Sequence, residues 1–430
     1  MEIDPSGAPA APSAPAPASA RPGAFYGWRV VAASFAVQFL TMGTTFYSFG
    51  VLLKPLCEAL GATRLAVGSV LPLFLLVAAL GGPLIGREVD RRGARAPMLV
   101  GTALLAAGFL VLSQIDSLAG LYLGFGGLVA GGAALLGPLP NTALVASWFQ
   151  RARGTALGIS QIGMSLSGMV MAYVTTWLVA EHGWRTAMLC FAVLPLALTA
   201  PIVAGVVVNR PQDRGLLPDG RGPGAPGPAP GPLALPPPGS LRAALRESDL
   251  WKIALVLGLC FASSGSVIQV IHSHATDLGH SATRAAAVLS LMAGMAALGK
   301  PGFGILADRG SPRAAMSVAI ALQMVGLAAI LVSPGFAALL SASIVFGLGF
   351  GGLIPLFGML VSARFGAARI GRMMGAAGPV MLPFQLAGVP FTTAVFDRSG
   401  SYAAAFATFL ACYAVALAIL SRLPEGSVGE

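Results

Sequence analysis

The sequence predicts an all-α membrane protein: twelve transmembrane helices in two pseudo-symmetric six-helix bundles. Three observations carry that expectation. The 430-residue chain is 56% hydrophobic and only 10% charged, with a mean hydropathy of +0.81, whereas a water-soluble chain carries about 25% charged residues. Its apolar residues fall in long unbroken runs, and about 20 such residues cross a hydrocarbon core of ~30 Å as a helix. Barrel strands alternate apolar and polar over about ten residues instead. Finally, the chain repeats itself at an offset of about 218 residues.

Taken in order, the runs place helices over 28–53, 65–85, 97–114, 118–146, 155–179 and 186–208 in the first half. The second half gives 251–276, 285–306, 314–332, 336–361, 373–395 and 402–420. With the amino terminus in the cytoplasm, 20 of the 26 Lys and Arg lie on the cytoplasmic side. Lys54, Arg64, Arg185, Arg284 and Arg398 lie opposite, and Lys300 falls inside a span. The positive-inside rule then puts both termini in the cytoplasm, with the plasma (inner) membrane as the expected location. The net charge of +10 reflects this topology and not a nucleic-acid surface.

Residues 1–24 are Ala/Pro/Ser-rich and carry Glu2 and Asp4, which fits a disordered cytoplasmic tail better than a basic, cleavable signal. The first bundle is expected over 25–208, a cytoplasmic linker over 209–250, the second bundle over 251–422 and a short tail over 423–430. Pro and Gly peak at 221–239, too dense for a helix. The polar 240–249 with scattered Leu admits a short interfacial helix. Cys57, Cys190, Cys260 and Cys412 are far apart and show neither a disulfide framework nor metal-ligand spacing. No phosphate-binding GKS/T loop and no Ser/His/Asp constellation is evident. The chain is read as a non-enzyme with no cofactor or metal, its partners being the bilayer and a small solute, and it is expected to act as a monomer.

The repeat has specific residues. Gly86, Asp90, Arg91 and Arg95 recur as Gly304, Asp308, Arg309 and Arg313; Phe149, Gly154 and Gly158 recur as Phe365, Gly371 and Gly375; Trp28–Arg29 recurs as Trp251–Lys252. Parallel six-helix halves are a secondary-transporter architecture, with substrate between halves that rock to alternate access. The loop GREVDRRGAR at 86–95 resembles the signature loop of the major facilitator superfamily. Asp90 and Asp308 are suited to cap a helix amino terminus and to pair with arginines across the bundle interface, a latch that breaks when the halves tilt. Arg151 and Arg153, in the basic loop before the fifth helix, join the expected gate.

Within that superfamily the chain resembles the monocarboxylate transporter and oxalate/formate antiporter branch, bacterial type. The likeness rests on YGWRVV at 26–31, FGVLLKPL at 49–56, WFQRARGTALG at 148–158, RPQDRGLLPDG at 210–220 and FDRSGSY at 396–402. Where animal members pair an aspartate with an arginine in the eighth helix before a proline, this chain reads Ala296, Lys300 and Pro301. The cation is kept and the carboxylate is gone. The eleventh span, 373–395, has no charge at all, so the two-cation clamp of a dicarboxylate carrier is unsupported.

The resemblance therefore implies a carrier of a small organic anion, a monocarboxylate taken up with protons, by alternating access. Anion exchange is the alternative and proton-driven efflux of apolar compounds a more distant one. Lys300 is the first choice for the carboxylate, because an ionisable residue in hydrocarbon generally faces a pathway. Snorkelling toward Asp308, two turns away, is its competing role. A lysine stripped of water also exchanges its proton readily, so Lys300 could couple proton and substrate. Tyr47, Asn141 and Gln385 are candidate hydrogen-bonding groups in the cavity, or helix contacts. Lys54 is linked by the resemblance to proton-coupled substrate uptake, or pairs with Glu58 at i, i+4. His272 and His274 titrate near neutrality, and as helical neighbours at most one lines the cavity.

Overall fold

The computed structural model describes residues 25–220 and 241–424. The expected tail at 1–24, most of that at 423–430 and the Pro/Gly-rich part of the linker lie outside the described residues. Among the described residues eleven apolar helical stretches are long enough to cross a bilayer. The first four are α1 (Gly27–Leu60), α2 (Ala66–Arg92), α3 (Arg95–Leu112) and α4 (Leu118–Trp148). The next, Arg153–Gly205, has 53 residues, about 80 Å at 1.5 Å per residue and too long for one crossing. At Gly183 the backbone leaves the helix with φ 80 and ψ 163, a conformation glycine adopts without steric cost. That break makes α5 (153–182) and α6 (184–205). The second half runs through α7 (Ser248–Asp277), α8 (Ala287–Arg309), α9 (Pro312–Leu331), α10 (Phe336–Phe365), α11 (Ala367–Ser399) and α12 (Ala403–Leu420). Twelve helices in two six-helix halves are thus present, as the repeat and the apolar runs predict.

The halves meet most extensively through two helix pairs, α2 with α11 and α5 with α8. Both crossings are built on glycine, and both use residues of the repeat. A Cβ on Gly86 would sit 2.0 Å from the carbonyl oxygen of Gly371, and one on Gly304 would sit 2.0 Å from that of Gly154. Backbones this close exclude any side chain, so dispersion and weak C–H contacts act over a long shared face.

The beginning of the linker is not a free coil. Asn209 accepts from the Arg95 N–H at 2.9 Å and donates to the Arg92 carbonyl at 3.1 Å. The Trp148 indole donates to the Val208 carbonyl at 2.9 Å. A one-turn 3-10 helix follows at Pro211–Arg214, with Arg214 over the Tyr26 ring at 3.9 Å. Asp219, the one non-glycine residue with positive φ among the described residues, accepts from the N–H groups of Gln150 and Arg151 at 2.9 and 3.0 Å. The linker expected over 209–250 therefore starts with an ordered strap as far as 220, whose polar groups bond to the first half. Of the interfacial helix considered at 240–249, one turn forms, Leu241–Ala244.

Candidate functional site: the interface between the halves

At the end of α2, Asp90 is 9% exposed. Its oxygens accept from the backbone N–H groups of Gly371 and Arg372, at 2.9 and 2.8 Å, at the start of α11. At the end of α8, Asp308 accepts from the N–H groups of Gly154 and Thr155 at 2.6 and 2.7 Å and from the Thr155 hydroxyl at 2.8 Å. Each carboxylate occupies the first turn of a helix in the opposite half. Unpaired donors and the positive end of the helix dipole coincide there. Capping across the interface is as expected; the aspartate–arginine pairing is not, and no such ion pair forms among the described residues, where both oxygens of each carboxylate accept from backbone N–H groups instead.

The arginines serve elsewhere. Arg91 and Arg309 are exposed. Arg95 donates to the Ala204 carbonyl within the first half, and Arg313 to the Leu423 carbonyl within the second at 2.8 Å. Arg151 is tied by its backbone to Asp219. Arg153 does cross: its guanidinium donates to the Ser362 hydroxyl on α10, and its Nε to the Phe149 carbonyl at 3.0 Å. A cavity of about 270 Å³ lies at this latched end, lined by Asp90, Arg153, Asn209, Arg210 and Ala368 among others. Arg372, 7% exposed and with its Nε unpartnered, belongs to the latch and was missed because the eleventh apolar run begins one residue later.

Farther along the α5–α8 crossing is Lys300, 5% exposed. A Cβ on Gly158 would lie 2.5 Å from the Lys300 carbonyl oxygen, so the two backbones touch here. Lys300 Nζ reaches across to α5, donating to the Gln161 carbonyl at 3.0 Å and to the Ser165 hydroxyl at 2.6 Å. It does not run down α8 toward Asp308, whose oxygens α5 already holds. An ammonium has three donors; two are used, and no acidic partner stands beside it among the described residues. Gln161, on the same face of α5, is 1% exposed with both amide atoms unpartnered. Tyr47 lies against that face one turn beyond Ser165, its ring within 2.7 Å of where a Gly168 Cβ would be. A π-helical stretch of α1, Gly43–Tyr47, carries it there; such bulges re-aim side chains. Gly158, Gln161, Ser165 and Gly168 thus make one stripe of α5 that faces Lys300 and Tyr47.

The other expected site residues are not gathered there. Asn141 is spent inside the first half: it donates to the Leu136 and Gly137 carbonyls at 2.7 and 2.8 Å and accepts from Ser34 at 2.7 Å. The Leu136 carbonyl lacks its helical donor where α4 breaks at Gly137, because residue 140 is a proline, so Asn141 repairs a helix break. Lys54 is exposed and lies 3.9 Å from Glu58, its i, i+4 pairing. His274 packs on the Tyr402 and Phe406 rings at 5.9 and 5.2 Å, within the second half. His272 and Gln385 are half-buried, without a hydrogen-bond partner among the described residues.

Two pseudo-symmetric six-helix halves that meet through breakable polar caps, around a buried cation, define a secondary transporter. Residues 34–386 match the family model described as Major Facilitator Superfamily, and the chain belongs to that superfamily. It is a multi-pass membrane transporter and not an enzyme. It is similar to Monocarboxylate transporter 13 of Bos taurus, 27% identical over 404 residues that span 93% of this chain and 90% of that protein. It is also similar to Monocarboxylate transporter 11 of Homo sapiens, 30% identical over 409 residues, 89% of this chain and 79% of that protein. Among solved structures, the human organic anion transporter MFSD10 (TETRAN) superposes with a TM-score of 0.69 at 18% identity, covering 92% of this chain and 99% of that one. The proton:xylose symporter XylE superposes with 0.66 at 14% identity, covering 93% and 96%. These two establish the fold.

Proposed function

We propose that the protein carries a small monocarboxylate together with a proton by alternating access, with Lys300 as the counter-charge to the anion. The observation that carries this reading is Lys300 itself: buried between the halves, bonded only to neutral groups of α5, with a third donor left over. An anion crossing hydrocarbon needs compensation, and one unopposed cation compensates one carboxylate. The monocarboxylate transporters to which the chain is similar support the substrate class. In this reading the latched end faces the cytoplasm with both termini, in the plasma (inner) membrane, as the charge bias favours. The bundles are taken as 25–208 and 251–422. The RPQDRGLLPDG strap supports the bacterial type of the branch. Tyr47 and Gln385 are the remaining polar candidates for the cavity, and His272 for proton transfer. Exchange of organic anions is the second reading, favoured by the same cation if it keeps its proton through the cycle.

Purified protein in liposomes, given labelled lactate and an inwardly directed proton gradient, separates the two. Concentrative uptake with proton influx, independent of internal anion, supports symport. Uptake that requires a trans anion supports exchange, and no flux of any short carboxylate rejects both.

A further inference from the structure

Gln161 differs from the other polar residues of α5. Ser165 is bonded to Lys300, the Thr155 hydroxyl to Asp308, and Thr175 to Ser48 and the Met171 carbonyl. Gln161 is as buried as any of them, and neither its Nε2 nor its Oε1 has a partner. Yet its main-chain carbonyl is one of the two acceptors holding Lys300. A buried amide with both ends unpaired is unfavourable, and it is lodged beside Lys300, a buried cation with a donor to spare.

We propose that Gln161 sets substrate specificity by binding a hydroxyl next to the carboxylate, so that the site prefers a small 2-hydroxy acid to its unsubstituted counterpart. The inference rests on the reading of Lys300 as the carboxylate's partner. An anion on the third N–H of Lys300 lies within one side-chain length of the Gln161 amide, because the residue that presents the amide also holds the ammonium. The amide offers one donor group and one acceptor. A hydroxyl accepts from Nε2 and donates to Oε1, satisfying both. A keto oxygen accepts only, leaving Oε1 unpaired, and a methylene satisfies neither. Ser165, which accepts from Lys300, keeps its own proton for a carboxylate oxygen. The expected order for three-carbon acids is therefore lactate, then pyruvate, then propionate, with lactate ahead of propionate by about tenfold or more, the discrimination given by one or two buried hydrogen bonds.

The test is initial-rate uptake of labelled lactate, pyruvate and propionate by the native protein, Gln161→Leu and Gln161→Asn, reconstituted in liposomes and normalised to inserted protein. The expected result is the stated order in the native protein, a lactate/propionate ratio within about twofold of unity in Gln161→Leu, and an intermediate ratio in Gln161→Asn. Should Gln161→Leu fail to reconstitute, the Asn variant decides: a ratio reduced at least threefold supports the proposal, and an unchanged ratio overturns it. A native protein indifferent to the substituent, or variants that slow all three acids equally, overturns the role of Gln161 while leaving the carboxylate reading intact. No uptake of any of the three by the native protein removes that reading, and this inference with it.

Discussion

Asp90 and Asp308 occupy equivalent positions in the two halves, and each carboxylate bridges two successive backbone N–H groups at the start of a helix in the half it does not belong to. The interface is closed at this end by one device used twice. If the halves rock, as proposed, both would break at once, coupling α2–α11 to α5–α8 with no ion pair from either aspartate across the interface among the described residues. Charge-assisted hydrogen bonds contribute about 1.5–3 kcal/mol each, enough to hold one state and small enough to release it.

Asp90→Asn and Asp308→Asn are both expected to open the latched end. An asparagine presents at most one acceptor to two donors, and its NH₂ then faces the second. A loss of about 1.5 kcal/mol shifts a balanced equilibrium roughly tenfold. Asp308→Asn is expected to have the larger effect, since the Thr155 hydroxyl is lost as well. Labelling of an Ala368→Cys reporter in the cavity beside Asp90 reads the shift; unaltered labelling in both variants counts against the latch.

Gly304→Ala is expected to prevent closure, because its Cβ would meet the Gly154 carbonyl oxygen at 2.0 Å, a backbone atom that cannot move aside. Overpacking of this kind costs about 1–3 kcal/mol. Gly302→Ala on the same helix, with nothing within 4 Å, is expected to be neutral or slightly stabilising, since alanine is the better helix former. Thermal unfolding together with the Ala368→Cys reporter distinguishes them, and equal behaviour of the two variants contradicts the close crossing.

Asp219→Ala removes the acceptor for the Gln150 and Arg151 N–H groups and is expected to free the loop before α5. Amide exchange at those two positions should accelerate by about tenfold or more, the effect of losing roughly 1.5 kcal/mol of protection. Asp219→Asn should be milder, as asparagine tolerates the positive φ and keeps an acceptor. Exchange that is unchanged in the alanine variant means that the strap is not what holds the loop.

Asn141→Ala is expected to lower stability by about 1–3 kcal/mol, because the Leu136 carbonyl at the α4 break loses its side-chain donor and the buried Ser34 hydroxyl its side-chain acceptor. Its apparent affinity for substrate should stay within about twofold of the native value. A large rise in KM with unaltered unfolding temperature returns Asn141 to the cavity.

The contrast between Asn141 and Gln161 marks the limit of what the sequence discloses. Apolar runs, charge bias and the repeat located every span and both halves, since those properties depend on composition along the chain. Asp90 and Asp308 were legible because they recur. A side chain's rotation about its helix is another matter: Asn141 and Gln161 are both amides inside apolar runs, and only packing shows one consumed by a helix break and the other unpaired beside Lys300. A signal for Gln161 existed in the spacing of Gly154, Gly158, Gln161, Ser165 and Gly168, a helical stripe of small and polar residues that marks a close interface. Arg372 escaped because a hydropathy boundary fell one residue after it.

The account turns on Lys300, and the most direct measurement is proton-driven uptake of a labelled monocarboxylate by Lys300→Gln and Lys300→Arg beside the native protein in liposomes. Loss of concentrative uptake in the glutamine variant is predicted, with folding and insertion retained because an unopposed buried charge has been removed and not created. Partial uptake is predicted for arginine, which keeps the charge but changes its shape. Native rates and native pH dependence in Lys300→Gln would contradict the account and leave the lysine a helix contact.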